Sequence, residues 1–356
     1  MVNYEVVGPE LVINPQDIDP GANVITAPSL KYNPVYDRFE CAVTFYYLAR
    51  NFPPGVGGVG VLLIDGDNDL KWELKKVFQT NDRIVYTNPT LVIDKQGNSF
   101  IVWYASKLDS SERWVIGPIF CARSLDGGLS WDNPVRVSES GGDIRFNIAV
   151  SDIPGQIYVV WDLGSAILID RSLDYGQTFG QDKLVASYQR DQRGLRKFYP
   201  GIAIKGQEIF VSFCSWPDGQ DPNVYLTKSD DYITWLAPRR VNDDTNYRFS
   251  RENVASVLHM DSSGRLRIFW FDARDSQHNN AFMLMAADII SFNEYPYKNY
   301  NISDGPSLLG NLFSFRDPVN FDFVSIDENG QLLAWTDYQK RANGTTFANV
   351  RVRRCS

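Results

Sequence analysis

Histidine is nearly missing from this 356-residue chain, which has only His259 and His278. A histidine-rich metal centre or a histidine-based nucleophilic triad has little raw material, and neither a metal nor another cofactor is expected. Cysteine is scarce too. Cys41, Cys121, Cys214 and Cys355 show no paired metal-ligand spacing, and the first three fall in apolar strand-like runs that predict buried thiols. Positive charge is in deficit: 43 acidic residues outnumber 35 basic ones, for a formal net charge of −8. No global basic field gathers nucleic acid or an anionic membrane. The opening stretch Met1–Glu10 has neither a basic head nor an apolar core of signal-peptide length, and no segment approaches a membrane span. Secretory export and membrane insertion are not expected, which favours a virion or cytoplasmic setting. Helical periodicity is almost lacking. Leu70–Phe78 could make a helix turn or two, but its place in the repeat described below predicts a strand.

What the chain does have is repetition. Ser124-Leu-Asp-Gly-Gly-Leu-Ser-Trp131 recurs as Ser172-Leu-Asp-Tyr-Gly-Gln-Thr-Phe179. Both keep Ser, Asp, Gly and Ser/Thr at alternate positions and end on an aromatic. Ser229-Asp-Asp-Tyr-Ile-Thr-Trp235 is a shortened copy keeping Asp231 and Trp235, and the stretch from Asp65 to Trp72 keeps only Asp67 and Trp72. The residue types fit a turn. Asp126 and Asp174 can accept hydrogen bonds from successive backbone N–H groups, as can the hydroxyls of Ser124 and Ser172. Gly128 and Gly176 can take positive φ, and Trp131 or Phe179 can bury a large apolar face as the next strand begins.

A second unit appears six times: an alternating apolar strand, a glycine turn, then a strand ending in aromatics. Tyr47, Trp103, Trp161, Phe213, Trp270 and Trp335 are its equivalent ends, spaced 52 to 65 residues apart. Each unit leaves room for two more strands, which predicts an all-β fold of six four-stranded antiparallel blades. The blades fall near 25–79, 88–138, 146–187, 198–242, 252–302 and 317–354. The last lacks a fourth strand, and residues 9–14 form a strand with no blade before it. That strand is expected to complete the sixth blade and close the ring, making residues 1–356 one domain without exposed sheet edges. The Gly/Pro-rich Asn51–Gly60 reads as a loop between the second and third strands of the first blade.

The Ser-x-Asp-x-Gly-x-Thr-Trp pattern resembles the Asp-box, or bacterial neuraminidase repeat, which joins the third and fourth strands of a propeller blade in the sialidase-like superfamily. The resemblance implies a six-bladed β-propeller in which the box aspartates brace hairpins. It does not carry over the catalytic set. Sialidases begin their first blade with a Phe/Tyr-Arg-Ile-Pro motif, whose arginine grips the sugar carboxylate. Here the stretch is Ile25-Thr-Ala-Pro28, with no arginine in it. Arg251 and Arg316 match the later arginines by position before first strands. Glu252, Tyr199 and Tyr247 fall in no recognisable motif, so no catalytic residue is assigned.

Box turns share a face with the turns after first strands, leaving the opposite mouth to segments that enter first strands or follow the aromatic strand ends. Arg145, Arg196, Arg248, Arg251 and Arg316 lie in the former, and Lys107, Asp162, Trp216, Asp218, Asp272, Arg274, Asp275 and Asp337 in the latter. Converging guanidinium groups can hold a carboxylate bidentately, and nearby carboxylates can serve as acid or base. The same charges could equally pair with one another across the rim. The expectation is a non-catalytic sialidase-like binding or structural module, recognising glycan or protein at the mouth and able to join a larger assembly such as a virion. The alternative is a glycoside hydrolase of acidic sugars with a rearranged site.

Overall fold

The computed structural model describes residues 24–47, 56–65, 72–80, 84–108, 114–139, 144–188, 200–215, 222–243, 253–260, 263–272, 281–302, 307–308, 325–326, 332–340 and 346–354. Every regular element among them is a β-strand. The chain divides into two compact units, Met1–Arg136 and Val137–Ser356.

The first unit holds two meanders. One runs in order β1 (Val24–Asn33), β2 (Arg38–Tyr47), β3 (Val56–Asp65) and β4 (Trp72–Thr80). The other runs β5 (Ile84–Ile93), β6 (Ser99–Leu108), β7 (Trp114–Ser124) and β8 (Val135–Arg136). Every pairing is antiparallel, so turns after first and third strands lie at one edge of a sheet and turns after the second at the other. Period-two alternation supplies the contact between the sheets: Ala42, Val59, Val61 and Leu63 meet Leu91, Ile101, Trp103 and Ala105 in one buried cluster. The first strands of both sheets bulge at the same place, at Ala27-Pro28 between Thr26 and Ser29 and at Asn88-Pro89 between Thr87 and Thr90. A proline lacks the N–H that a regular ladder needs, and a bulge accommodates it.

The expected loop at Asn51–Gly60 is a correction. Residues 56–60 are strand, with Val56 paired to Tyr47 and Gly60 to Val43. Three glycines invite a loop reading, but Val59 and Val61 point into the core and are fully buried. The stretch from Trp72 to Phe78 is strand, within β4.

The second unit holds two more meanders. They are β9 (Ile144–Val150), β10 (Ile157–Leu163), β11 (Ala166–Ser172) and β12 (Lys183–Ser187), then β13 (Gly201–Lys205), β14 (Glu208–Ser215), β15 (Asn223–Ser229) and β16 (Arg239–Arg240). An eight-stranded sheet follows. Its path starts with β17 (Asn253–Met260), β18 (Leu266–Asp272) and β19 (Ala281–Ile289), with β20 (Asn299–Asn301) also on β19. It continues through β21 (Ser307–Leu308) to β23 (Leu332–Lys340), which pairs with β22 (Ser325–Ile326) and β24 (Thr346–Arg354). The strands expected of the fifth and sixth blades are therefore joined. β19 begins two residues before its pairing with β18, and Ala281 and Phe282 take β21 as a neighbour instead. Residues 9–14, expected to close the last blade, lie outside the described residues.

Two clusters hold the meanders of this unit together. Val160 and Ile169 pack with Ile202 and Val211, while Val224 and Leu226 pack with Ile268, Trp270 and Met285. Trp103, Trp161 and Trp270 are all fully buried on second strands, Trp161 and Trp270 near the strand ends and Trp103 at the middle of β6. Cys41, Cys121 and Cys214 are buried thiols outside any disulfide, on β2, β7 and β14. Burial pushes the Cys121 thiol up to about 12, although the Arg123 charge opposes the shift. No helix among the described residues is long and apolar enough to cross a membrane.

Candidate functional site

The recurring turns have a common hydrogen-bond plan. Ser124 Oγ donates to Asp126 Oδ1 at 2.6 Å and accepts from Gly128 N at 2.7 Å. Asp126 also accepts from Ser130 N and Ser130 Oγ. Trp131 closes the turn by donating its Nε1–H to Gly128 O at 3.0 Å. In the second turn Ser172 Oγ donates to Asp174 at 2.7 Å and accepts from Gly176 N, while Thr178 donates to Asp174 through both N–H and Oγ1. The shortened turn keeps the core of this plan. Asp231 Oδ1 accepts from Ser229 Oγ, Ile233 N and Thr234 N. Phe179 is half-buried, and Trp131 and Trp235 pack against neighbouring cores.

These bonds set the protonation of the carboxyls. Burial works against ionisation of Asp126, yet hydrogen bonds from Ser124 and Ser130 outweigh it and hold the group below its ordinary value. Asp174 is lowered in the same way, burial being outweighed by bonds from Thr178 and Ser172. The exposed Asp231 is drawn down to about 2, first by the Thr234 and Ile233 N–H groups. The donors gathered around each carboxylate leave these groups committed to the turn rather than to chemistry.

The fourth position is left-handed in all three turns: Gly127 (φ 69), Tyr175 (φ 57) and Tyr232 (φ 69). Tyr232 is buried, with the Arg171 guanidinium 4.1 Å from its ring centroid. Where glycine stands instead, Tyr36 occupies the space, and a Cβ on Gly127 would lie 2.4 Å from its ring. A related turn follows β19, where Asn293 N donates to Ser291 Oγ and Arg239 covers the Phe292 ring. Sequence reading missed it because Asn293 and Tyr295 stand where the pattern has Asp and Gly. Among the described residues, no group of three or more His, Cys, Asp or Glu could hold a metal ion.

Of the residues expected at the mouth edge, Lys107, Arg145, Asp162, Asp272 and Asp337 are among the described residues. Arg196, Arg248, Arg251, Arg316, Trp216 and Asp275 lie outside the described residues, as do Asp218, Arg274 and, on the box edge, Asp67. Trp72 opens β4 opposite Ile64, and Asp337 stands on β23 opposite Asn349. Lys107 is exposed on β6. Asp272 ends β18 opposite Asn253, is fully buried, and accepts from Trp270 Nε1 at 3.3 Å. In that arrangement it is not open to a ligand.

The third meander gives the most complete view of this edge. Arg145 on β9 stands directly across from Asp162 on β10, so the two side chains share a face of the sheet. Asp162 is buried and accepts from Gly164 N at 2.7 Å, bracing the short turn into β11. It also accepts from Tyr188 Oη at 2.5 Å. Tyr188 is only half-buried, follows β12, donates its own N–H to Ser165 O, and lies 6.1 Å ring to ring from Phe213 on β14. Three neighbouring sequence segments thus converge on one phenol.

No protein-family model matches the sequence, and no curated protein matches it. Solved structures do. The chain is similar to a mutant of NanB sialidase from Streptococcus pneumoniae, at a TM-score of 0.56 and 9% identity, over 94% of this chain and 68% of that one. It is similar to the intramolecular trans-sialidase from Ruminococcus gnavus in complex with oseltamivir carboxylate, at a TM-score of 0.56 and 10% identity, over 95% and 96%. A mutant of an α-L-arabinofuranosidase from Fusarium graminearum, in complex with an iminosugar inhibitor, gives 0.52 and 11%, over 94% of each chain. At these identities the likeness is one of fold, and the fold is that of the sialidase-like propellers.

Proposed function

We propose that this chain is a glycan-recognising propeller whose ligand sits at the sheet edges opposite the box turns. The observation that carries the reading is on the third meander, where the half-buried phenol of Tyr188 is tied to buried Asp162 and Arg145 stands in register across from that carboxylate. Such a set suits a polyhydroxylated ligand with or without a carboxylate. The fold's similarity to a sialidase, a trans-sialidase and an α-L-arabinofuranosidase supports a sugar as that ligand. A binding role without turnover is favoured by Ile25-Thr-Ala-Pro28, which has no arginine where the sialidase pattern carries one. The box turns are read as Asp-box hairpin braces in this scheme. Closure of six units into one ring by residues 9–14 belongs to the proposal too; deletion of residues 1–14 that left thermal stability unchanged would remove that element.

Glycoside hydrolysis is the second reading, favoured by the enzyme names of the three similar structures described above. One experiment separates the two. The chain is incubated with fluorogenic α-sialoside and α-L-arabinofuranoside, and in parallel applied to an array of acidic and neutral glycans. Binding without release of fluorophore is expected. Turnover abolished by Arg251→Ala would establish the hydrolase, and neither binding nor turnover would end both readings.

A further inference from the structure

Among the described residues, the phenol of Tyr188 stands out as a group placed for contact but without an assigned role. Its oxygen donates its one proton to Asp162 Oδ1 across 2.5 Å. Asp162 is held in turn by Gly164 N and by burial, so it cannot swing away without opening the turn between β10 and β11. A phenol whose proton is committed in this way can form further bonds only by accepting them. A carboxylate partner also enriches the electron density of the phenol oxygen, making it a stronger acceptor than a solvated tyrosine. The backbone is held by the Tyr188 N–H bond to Ser165 O, the ring lies beside Phe213 and packs on both core clusters of this unit, and the residue as a whole stays half-open to solvent.

We propose that Tyr188 is a ligand-contacting residue of the glycan site, accepting a hydrogen bond from a sugar hydroxyl, with Asp162 as its positioning residue. This rests on the glycan-binding reading above and goes further by naming the acceptor and the kind of group it selects. Specificity comes from the polarity of the bond. A hydroxyl offered as donor is accepted, whereas a ligand bearing an ether or carboxylate oxygen at that point meets an acceptor with no proton to give.

The test uses the full chain and the tightest glycan found on the array, with a set of its monodeoxy analogues. Tyr188→Phe keeps the ring and its packing but removes the acceptor. It is expected to weaken the parent glycan at least ~tenfold by isothermal titration calorimetry, alongside a modest fall in melting temperature from the lost bond to buried Asp162. One monodeoxy analogue should bind the wild type as weakly as the parent binds Tyr188→Phe, and should lose nothing further on the mutation. Asp162→Asn, which can still accept from Gly164 N, should weaken the parent by a smaller factor. Equal parent binding by wild type and Tyr188→Phe would overturn this inference and leave the glycan reading standing. So would a melting temperature that falls while affinity holds, which marks a brace and not a contact. A wild-type chain that binds no glycan overturns both.

Discussion

Single carboxylates in this protein occupy opposite electrostatic situations. Asp174 gathers two bonds from Thr178 and one from Ser172, and its carboxyl is lowered by them against the effect of burial. Asp174→Ala should cost about 1–2 kcal/mol in urea unfolding at pH 7, as for other lost caps. A lowered folded value places that stabilisation above the unfolded value of about 3.9, and it disappears as pH falls through the folded one. The deficit of the mutant should therefore shrink below about pH 4. Asp170 is the reverse case. It is buried on β11, accepts from Arg171 N and Gly180 N through Oδ1, and its Oδ2 has no partner. Burial raises its carboxyl, the Asp182 charge adds to this, and the two N–H bonds only partly offset it. A raised value means that ionisation above about pH 4 costs folding free energy. Asp170→Asn should melt higher than wild type at about pH 7, with the gap closing toward about pH 4, and an equal gap at both values would refute the assignment.

At the level of the turn and hairpin, Gly127 shows how one position can be filled from either side. Tyr175 and Tyr232 supply their own side chain at the fourth place, whereas Gly127 yields it to Tyr36 from the β1–β2 turn. Gly127→Ala combines a left-handed residue with a Cβ 2.4 Å from the Tyr36 ring, and a loss of about 2 kcal/mol or more is expected. Tyr36→Ala in the same chain should recover part of it; strictly additive losses in the double mutant would show that Tyr36 is not the obstacle. The hairpins themselves were legible in the sequence. Alternation of apolar residues, a glycine turn and a terminal aromatic are local signals, and the paired first and second strands β5–β6, β9–β10, β13–β14 and β17–β18 follow them. The loop assigned at Asn51–Gly60 went astray because glycine is both a turn former and a tolerated strand residue, and only the burial of Val59 decides between them. Tyr188 was illegible for a different reason. Nothing in Val185-Ala-Ser-Tyr188 marks it, and its partner lies 26 residues earlier. Asp272 was placed at the right strand end, but its burial depends on packing that no local pattern encodes.

The chain as a whole is acidic, with a net charge of −8. An acidic glycan must approach against that field, so its capture depends on local arginines rather than long-range attraction. Raising ionic strength from about 0.05 to 0.5 M weakens close ion pairs while screening the general repulsion within a few ångströms. The dissociation constant of a sialoside should therefore rise only a few-fold over that range, and that of a neutral arabinoside should hold steady. A loss of several hundredfold for the sialoside would point to a concentrated cationic surface, contrary to this reading. The three buried thiols have a use at this scale. Cys41, Cys121 and Cys214 sit in three different meanders, spread over both compact units, and none is bonded to another. In a Cys355→Ser background each becomes a clock. The rate at which a bulky alkylating reagent modifies it records how often that sheet, and not its neighbours, breathes open.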